Sequence, residues 1–540
     1  MKYKLTSIWD DSITNYPHFK QLNNNISTDV CIIGGGITGI STGYYLNKNN
    51  IDFVILERNK VCESTTKFST AKVTSQHDLI YTEIIKKYGI KKAKLYLEAN
   101  NEAIKNIQNI IQEENIDCDF EIEDSYVFTQ DLNLQQNILN EYKALSKLDF
   151  KNVELLNRVT LPLNTKYAIK FKNQAKFNPK KYTLALANII KDNIYENSHV
   201  TRIDKKKNKI YVHTKNGIVT CNKVVLATHY PIKDIPGFYF TKMYQDTSYM
   251  IAVDIQNNAL DGMYISLEEP TISLRTLTLK NNTKNKNNIK DNDNNNTNIL
   301  LIGGNGIKTG DVLDKNKYTF LEKIAKEMYP DSKVIKRWNT QDCITLDKIP
   351  YIGKFSIFYP NIYVATGFNK WGMTTSNIAA SIITDNILNK HNKYEEVFKA
   401  TRLYPLRNIK QLSLNILQVI QSLIINKFKI KKDTIDNIPL NTGKIIKENN
   451  VNIGIYKDEN GKIYKINPYC SHLKCLLTFN TQDKTWDCPC HGSRFDIYGN
   501  LIYGPANENI TEESKNWLFL LFFSYIFLIP SIYIIFICEI

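Results

Sequence analysis

The chain has 540 residues, 43% of them apolar and 23% charged, which suits about two to four globular domains and excludes a disordered chain. Its 69 Lys and Arg outnumber 54 Asp and Glu to give a net charge of +15, but only eight of the basic residues are Arg and the Lys are scattered among Asn and Ile. That pattern is a solvated basic surface, and no nucleic acid is expected as a partner. Of ten Cys, five are scattered and four fall between Cys470 and Cys490, while Met1 to Asp11 has no apolar signal-peptide core. A secreted disulfide framework is therefore excluded, and the local cluster reads as a metal site.

Residues 1–29 are a polar lead-in whose Trp9 is expected to pack on the first domain. Val30 to Ile33 reads as a buried parallel strand, and Gly34, Gly36 and Gly39 follow at G-x-G-x-x-G spacing, with Thr38 in the same turn. The glycines permit the tight turn, the approach of a pyrophosphate and close packing of the helix Ile40 to Leu46 on the strand. The helix N-terminus offers free N–H groups and the positive end of its dipole. A second strand, Phe53 to Leu56, ends in Glu57, 23 residues after Gly34, where a ribose-binding carboxylate belongs. These elements in register predict a dinucleotide site.

The hydroxyl-rich stretch Ser64 to Lys72 comes next, followed by amphipathic helical patterns such as Ala93 to Ile111. Asn178-Pro179 precedes an expected helix over Tyr182 to Ile194. Val200 to Val219 is hairpin-like, and Val224 to Thr228 is another buried strand ending on small residues. Residues 236–310 look like a separate antiparallel sheet, in which Lys280 to Asn298, almost all Asn, Lys, Asp and Thr, reads as an inserted disordered loop. Ile362 to Thr374 is a strand, a glycine turn and a helix start, a second helix N-terminus able to face a cofactor.

Together these segments resemble the FAD-dependent D-amino acid oxidase / glycine oxidase superfamily over roughly residues 28–395. The residues that carry the likeness are the Gly34–Gly39 turn with Glu57, Asn178-Pro179, Ala227-Thr228, the Asp347/Pro350/Gly353 segment, and Ala365 to Gly367 with Gly372 to Thr374. The resemblance implies FAD rather than NAD. It also implies an α/β FAD-binding Rossmann-like domain (parts about 28–80, 175–235 and 338–400) with an antiparallel α+β substrate domain (about 81–174 and 236–337), the two making up residues 1–400. Expected cofactor neighbours are Gly34, Gly36, Thr38, Gly39, Glu57, Thr70, Ala71, Val200, Ala227, Thr228, Gly367, Gly372, Met373 and Thr374. Arg275 is a candidate anchor for a substrate carboxylate, since Arg binds carboxylates bidentately. His77 and His229 lie near the expected FAD-lining stretches and read as satisfied structural histidines.

Residues 401–432 form a linker with an amphipathic helix, Ile409 to Ile425, and a basic patch ending at Lys432. Then Cys470-Ser471-His472 and Cys488-Pro489-Cys490-His491-Gly492-Ser493 reduce to C-x-H and C-x-x-H, with 15 residues between the pairs. Two thiolates and two imidazoles suit a two-iron, two-sulfur centre with Cys on one iron and His on the other. A four-ligand zinc site uses the same residue types. With Gly504-Pro505-Ala506 downstream, the pattern resembles a Rieske domain, small and all-β, over 433–508. The resemblance implies a 2Fe-2S cluster on Cys470, His472, Cys488 and His491, with Cys475 and Cys490 joined in a disulfide. High-potential respiratory Rieske domains carry Tyr where this chain has Phe495, so the missing hydroxyl predicts a lower potential. Thr70 to His77 and Gly367 to Thr374 resemble the bacterial family in which such a flavoprotein is fused to a Rieske domain.

Trp517 to Cys538 is a 22-residue run without charge, bounded by Lys515 and Glu539, and reads as a membrane-spanning helix. The Lys on its N-terminal side put the catalytic part in the cytoplasm; a soluble cytoplasmic protein is the alternative. The expectation is an FAD-dependent oxidoreductase that oxidises a small substrate, an amine or amino acid by resemblance. It passes electrons singly from flavin to the Rieske cluster and on to an unidentified acceptor. The rival is a membrane-anchored flavin/iron-sulfur electron carrier with no substrate of its own.

Overall fold

The computed structural model describes residues 6–233, 235–256, 259–279, 297–311, 316–402, 430 and 433–512. Most of the inserted loop (280–296), nearly all of the linker with its helix Ile409 to Ile425, and the apolar run Trp517 to Cys538 lie outside these residues. Among the described residues, no helix is long and apolar enough to cross a membrane.

The first sheet has eight strands. Its path runs Tyr351–Ser356, Tyr359–Thr366, Ile218–Leu226, Ile26–Ile33, Phe53–Leu56, Ile194–Tyr195, with the hairpin Val200–Lys206/Lys209–Thr214 joined to Ile218–Leu226. The central pairs are parallel. Their residues are covered on both faces, which is why Val30 to Ile33 and Phe53 to Leu56 are continuous apolar runs. Helices Ile37–Lys48, Pro179–Ile189 and Gly372–Ile387 pack together on this sheet. The expected helix from Tyr182 to Ile194 starts earlier and ends sooner, because Asn178 accepts from the amides of Lys180 and Lys181 and sets the N-terminus at Pro179.

The second sheet has nine strands, antiparallel except where Met263–Ser266 runs beside Glu121–Thr129. It reaches from Lys72–Val73 to Lys333–Thr345, so the expected domain boundary at 338 falls inside a strand. The reason is period-2 patterning. On Met243–Asp254, Tyr249, Ile251 and Val253 pack against Leu321 and Ala325 of helix Lys317–Met328. Tyr244, Asp246, Ser248 and Met250 turn the other way, onto a cavity. Trp9 packs as expected, its indole N–H donating to the Ser69 carbonyl at 2.9 Å.

The third unit carries a three-stranded sheet (Thr442–Glu448, Val451–Lys457, Ile463–Ile466) and a four-stranded one (Thr478–Asn480, Thr485–Asp487, Arg494–Phe495, Leu501–Tyr503). Trp486, Tyr456 and Phe495 fill its core. It sits directly on the first two units. Arg58 donates to the Ile502 carbonyl at 3.2 Å, and the buried Arg494 donates to Asn339 at 2.5 Å.

Candidate functional site

A cavity of about 1500 Å³ runs between the two large sheets. Its floor is the glycine turn. Gly34 has φ +111°, and a Cβ there would stand 2.4 Å from the Ala227 carbonyl oxygen; a Cβ on Gly39 would stand 1.9 Å from the Gly34 oxygen. Only glycine lets the strand, turn and helix close this tightly. Glu57 accepts the Gly35 amide at 2.7 Å and the Asn59 amide at 2.8 Å, so its carboxylate is held at the end of its strand. Burial pushes its carboxyl above the ordinary value of 4.5, against those two amide hydrogen bonds.

Gly34, Gly36, Thr38, Glu57, Thr70, Ala71, Val200, Ala227, Thr228, Gly367, Gly372 and Met373 all line the cavity. Gly39 acts from behind the wall through the packing just described. Thr374 is a correction. It is 1% exposed, and its hydroxyl donates to the Thr74 carbonyl at 3.4 Å, so it packs its helix onto the 74–77 segment.

Arg275 is a second correction. Its Nη1 donates to the carbonyls of Thr70, Ala71 and Phe177 at 2.8, 2.9 and 3.2 Å, and its guanidinium lies over the Trp9 ring. Nη1 holds the Thr70–Ala71 turn in place, Nε is buried without a hydrogen-bond partner, and the side chain is not among those lining the cavity. His77 is satisfied as expected: Nδ1 meets the Tyr96 hydroxyl at 2.7 Å, Nε2 meets the Thr74 carbonyl at 2.8 Å, and the ring stacks on Trp371. Burial holds it neutral, with its pKa down at about 3. His229 differs from expectation. It is left-handed at φ +65°, and its buried Nε2 has no hydrogen-bond partner.

Three features of the cavity were not legible in sequence. Lys72 is buried, donates to the Tyr264 carbonyl at 2.7 Å, and is pushed down to about 7 by burial and then by Arg275. Asp78, Asp246, Asp342 and Glu269 place carboxylates on the wall. Burial raises Asp342 to about 6, while Asp246 pairs with Lys370 at 2.7 Å. Finally, Asp496 and Asn500 to Asn507, all from the third unit, close one side of the same cavity.

In the third unit the two ligand loops meet. Cys475 and Cys490 are disulfide-bonded, and Cys470 and Cys488 remain free thiols. The His472 and His491 rings are 4.9 Å apart between centroids. Nδ1 of His472 and both ring nitrogens of His491 are buried without a hydrogen-bond partner. Burial pushes His472 down to about 4; burial, the neighbouring His472 and Lys308 push His491 well below its ordinary value. Neutral imidazoles with orphaned nitrogens beside two free thiols fit a metal cluster, because coordination supplies the missing partners. Ser493 accepts the Ala506 amide at 3.0 Å, which leaves its hydroxyl proton available as a donor.

The family profile of FAD dependent oxidoreductases matches residues 29–386, and that of the Rieske [2Fe-2S] domain matches residues 431–516. The chain is 36% identical over 508 residues to the Rieske 2Fe-2S iron-sulfur protein YhfW of Bacillus subtilis (strain 168), covering 93% of this chain and 96% of that one. It is 24% identical over 393 residues to the gamma-glutamylputrescine oxidoreductase of Escherichia coli (strain K12), covering 70% and 88%. Among solved structures, the glycine oxidase of Geobacillus kaustophilus shares the fold at a TM-score of 0.56 and 16% identity, over 70% of this chain and 99% of that one.

Proposed function

The chain belongs to the FAD-dependent oxidoreductases and carries a C-terminal Rieske 2Fe-2S domain, and from that premise we propose that it oxidises a small amine or amino acid and delivers the electrons one at a time to its own cluster. FAD supplies two-electron chemistry at the substrate and can give electrons up singly, and the cluster accepts them singly. The residues of the chain do the rest. The Gly34–Gly39 turn and the N-terminus of helix Ile37–Lys48 hold the pyrophosphate, and Glu57 takes the ribose. Asp78, Asp342 and Glu269 stand on the cavity wall among Lys72, Lys348 and Lys370, and are the groups offered to a substrate ammonium. Trp371, stacked on His77, and Phe368 add apolar surface to the cavity lining.

One observation carries the coupled reading: the cavity wall is shared, with Tyr503 to Asn507 of the Rieske domain facing the same space as Gly34 and Gly367. The test is anaerobic addition of a panel of amines and amino acids to purified holoprotein, with flavin absorbance and the cluster's electron paramagnetic resonance followed together. A substrate that bleaches the flavin and then raises the cluster signal is the expected result. If no member of the panel bleaches a flavin that an added electron donor readily reduces, the substrate-free electron carrier is the better reading. The segment 517–538 is proposed to anchor the protein, and a chain ending at residue 512 then leaves the membrane fraction with both cofactors.

A further inference from the structure

We propose that Tyr230 is the bridge through which electrons leave the flavin cavity for the cluster; this rests on the flavin-to-cluster reading above. Ala227 and Thr228 directly follow strand Ile218–Leu226 on the cavity wall, and the next two residues, His229 and Tyr230, still line it. The Tyr230 ring then meets His491, a predicted cluster ligand, at 5.6 Å between centroids. Two peptide bonds past Thr228, the chain has passed from the flavin wall to a ligand of the iron.

The corner is held rigidly. The His229 carbonyl accepts from the Thr366 hydroxyl at 2.5 Å and the Cys343 thiol at 3.5 Å, and the Tyr230 carbonyl accepts from the Thr228 hydroxyl at 2.7 Å. The left-handed backbone at His229 turns the chain toward the Rieske domain and is the kind of local strain that functional corners retain. Tyr230 is 2% exposed and His491 1%, so no layer of solvent separates them.

The two domains are pressed together around this contact. A Cβ on Gly492 would stand 2.4 Å from Cγ of Gln245, and one on Gly310 would stand 2.5 Å from the Pro489 Cα. Electron transfer between fixed centres weakens steeply with distance, and more steeply across solvent than through bonded or packed atoms. Phe240 also touches His491, at 5.9 Å, but it stands on the separate helix Tyr239–Lys242 and does not line the cavity. Among the described residues that pack a ring on His491, Tyr230 is the one that also lines the cavity.

Each transfer moves one electron from the reduced flavin to the oxidised cluster. A two-electron substrate therefore requires the cluster to be emptied once in between by an external one-electron acceptor. The experiment uses full-length holoprotein without substrate: the flavin is photoreduced anaerobically by a brief flash, with a sacrificial aminocarboxylate such as EDTA as the electron donor, and the appearance of reduced cluster is timed. Flavin content, iron content, and the cluster's paramagnetic resonance line shape and midpoint potential are recorded for every variant. Tyr230→Leu is expected to slow cluster reduction severalfold or more with those four properties unchanged. Tyr230→Phe keeps the ring and is expected to restore the rate, and Phe240→Leu is expected to leave it unaltered. If Tyr230→Leu loses iron, Tyr230→Met replaces it, keeping apolar reach without a ring. Wild-type rates in the ringless variant, slowing by Tyr230→Phe, or equal slowing by Phe240→Leu would each overturn the bridge. A wild-type cluster that stays oxidised beside a reduced flavin would overturn the flavin-to-cluster reading itself, a distinguishable failure.

Discussion

The side-chain amide of Gln341, on a strand of the substrate sheet, donates to the carbonyl of Gly492 at 3.0 Å, one residue past the predicted ligand His491. The bond is buried and crosses between the flavoprotein and the Rieske domain, so the two are registered against each other beside the cluster. Gln341→Ala leaves the Gly492 carbonyl short of that partner in a dry interface, a loss of about 1–3 kcal/mol. The expected outcome is a Rieske domain that separates from the flavoprotein at lower denaturant than in wild type. Limited proteolysis within 401–432, scored against urea, measures it.

Gly36→Val tests the flavin cradle. Its first side-chain atom would stand 3.3 Å from the Thr66 hydroxyl, a contact that small shifts relieve, so the fold survives. The remaining methyls occupy the space in front of the helix N-terminus where a pyrophosphate must lie. Purified protein is expected to lack the flavin absorbance band while keeping its full complement of iron. Retention of tightly bound FAD would contradict the placement of the site.

Variants at Ser493 and the predicted ligand His472 test hydrogen bonding and charge at the cluster separately. Ser493→Ala removes the hydroxyl donor, and His472→Cys replaces a neutral imidazole with a thiolate; each is expected to lower the midpoint potential. Phe495→Tyr adds a hydroxyl and is expected to raise it, provided the fully buried ring position accepts the added oxygen. Redox titration monitored by paramagnetic resonance reads all three. Zinc in place of iron on purification would overturn the cluster assignment.

Arg494 is 3% exposed and pairs with Asp483 and Asp487 at 2.9 Å each. Arg494→Met strands two buried carboxylates, at a cost of about 3–5 kcal/mol. The Rieske domain is expected to lose iron on mild heating while the flavoprotein part keeps its FAD, as absorbance and iron analysis on a thermal ramp would show.

Acid stability follows from the cluster of Asp10, Glu63, Lys67 and Lys180 beside the cavity. Burial alone would raise both carboxyls, but the Lys180 hydrogen bonds, joined by the Ser7 amide at Asp10 and by Lys67, outweigh it and hold them below 3.8 and 4.5. Folded values below the unfolded ones mean that this stabilisation is complete above 4.5 and is lost as pH falls through the folded values. Burial opposes the charge on Lys180, yet its two carboxylates hold it above 10.5, so its contribution is present below 10.5 and lost as pH rises past its folded value. Lys180→Met is expected to cost about 1–3 kcal/mol near neutrality and to flatten the acid limb. Melting temperatures measured from pH 3 to 7 check both.

Local chemistry made much of this protein legible in one dimension. The Gly34–Gly39 turn, Glu57 and the C-x-H/C-x-x-H pairs each need particular residue types at fixed short spacing, and spacing survives in a sequence. Backbone geometry that demands glycine, or a metal that demands thiolate and imidazole, leaves a mark no neighbour can disguise. The disulfide between Cys475 and Cys490 and the strand–turn–helix at Gly372 agree with that reading. Arg275 and Thr374 lie off the cavity, which their residue types do not reveal, because their roles depend on which way a side chain points. Arg275 sits on a strand whose alternate residues face opposite sides, and its nearest carbonyls belong to Thr70, 205 residues away. The docking of the Rieske domain through Gln341 and Gly492, the cavity wall shared with Tyr503, and the placement of Tyr230 against His491 were decided by the tertiary structure alone. Each joins residues more than a hundred positions apart, and close packing between distant segments is fixed by complementary surfaces that no spacing along the chain records.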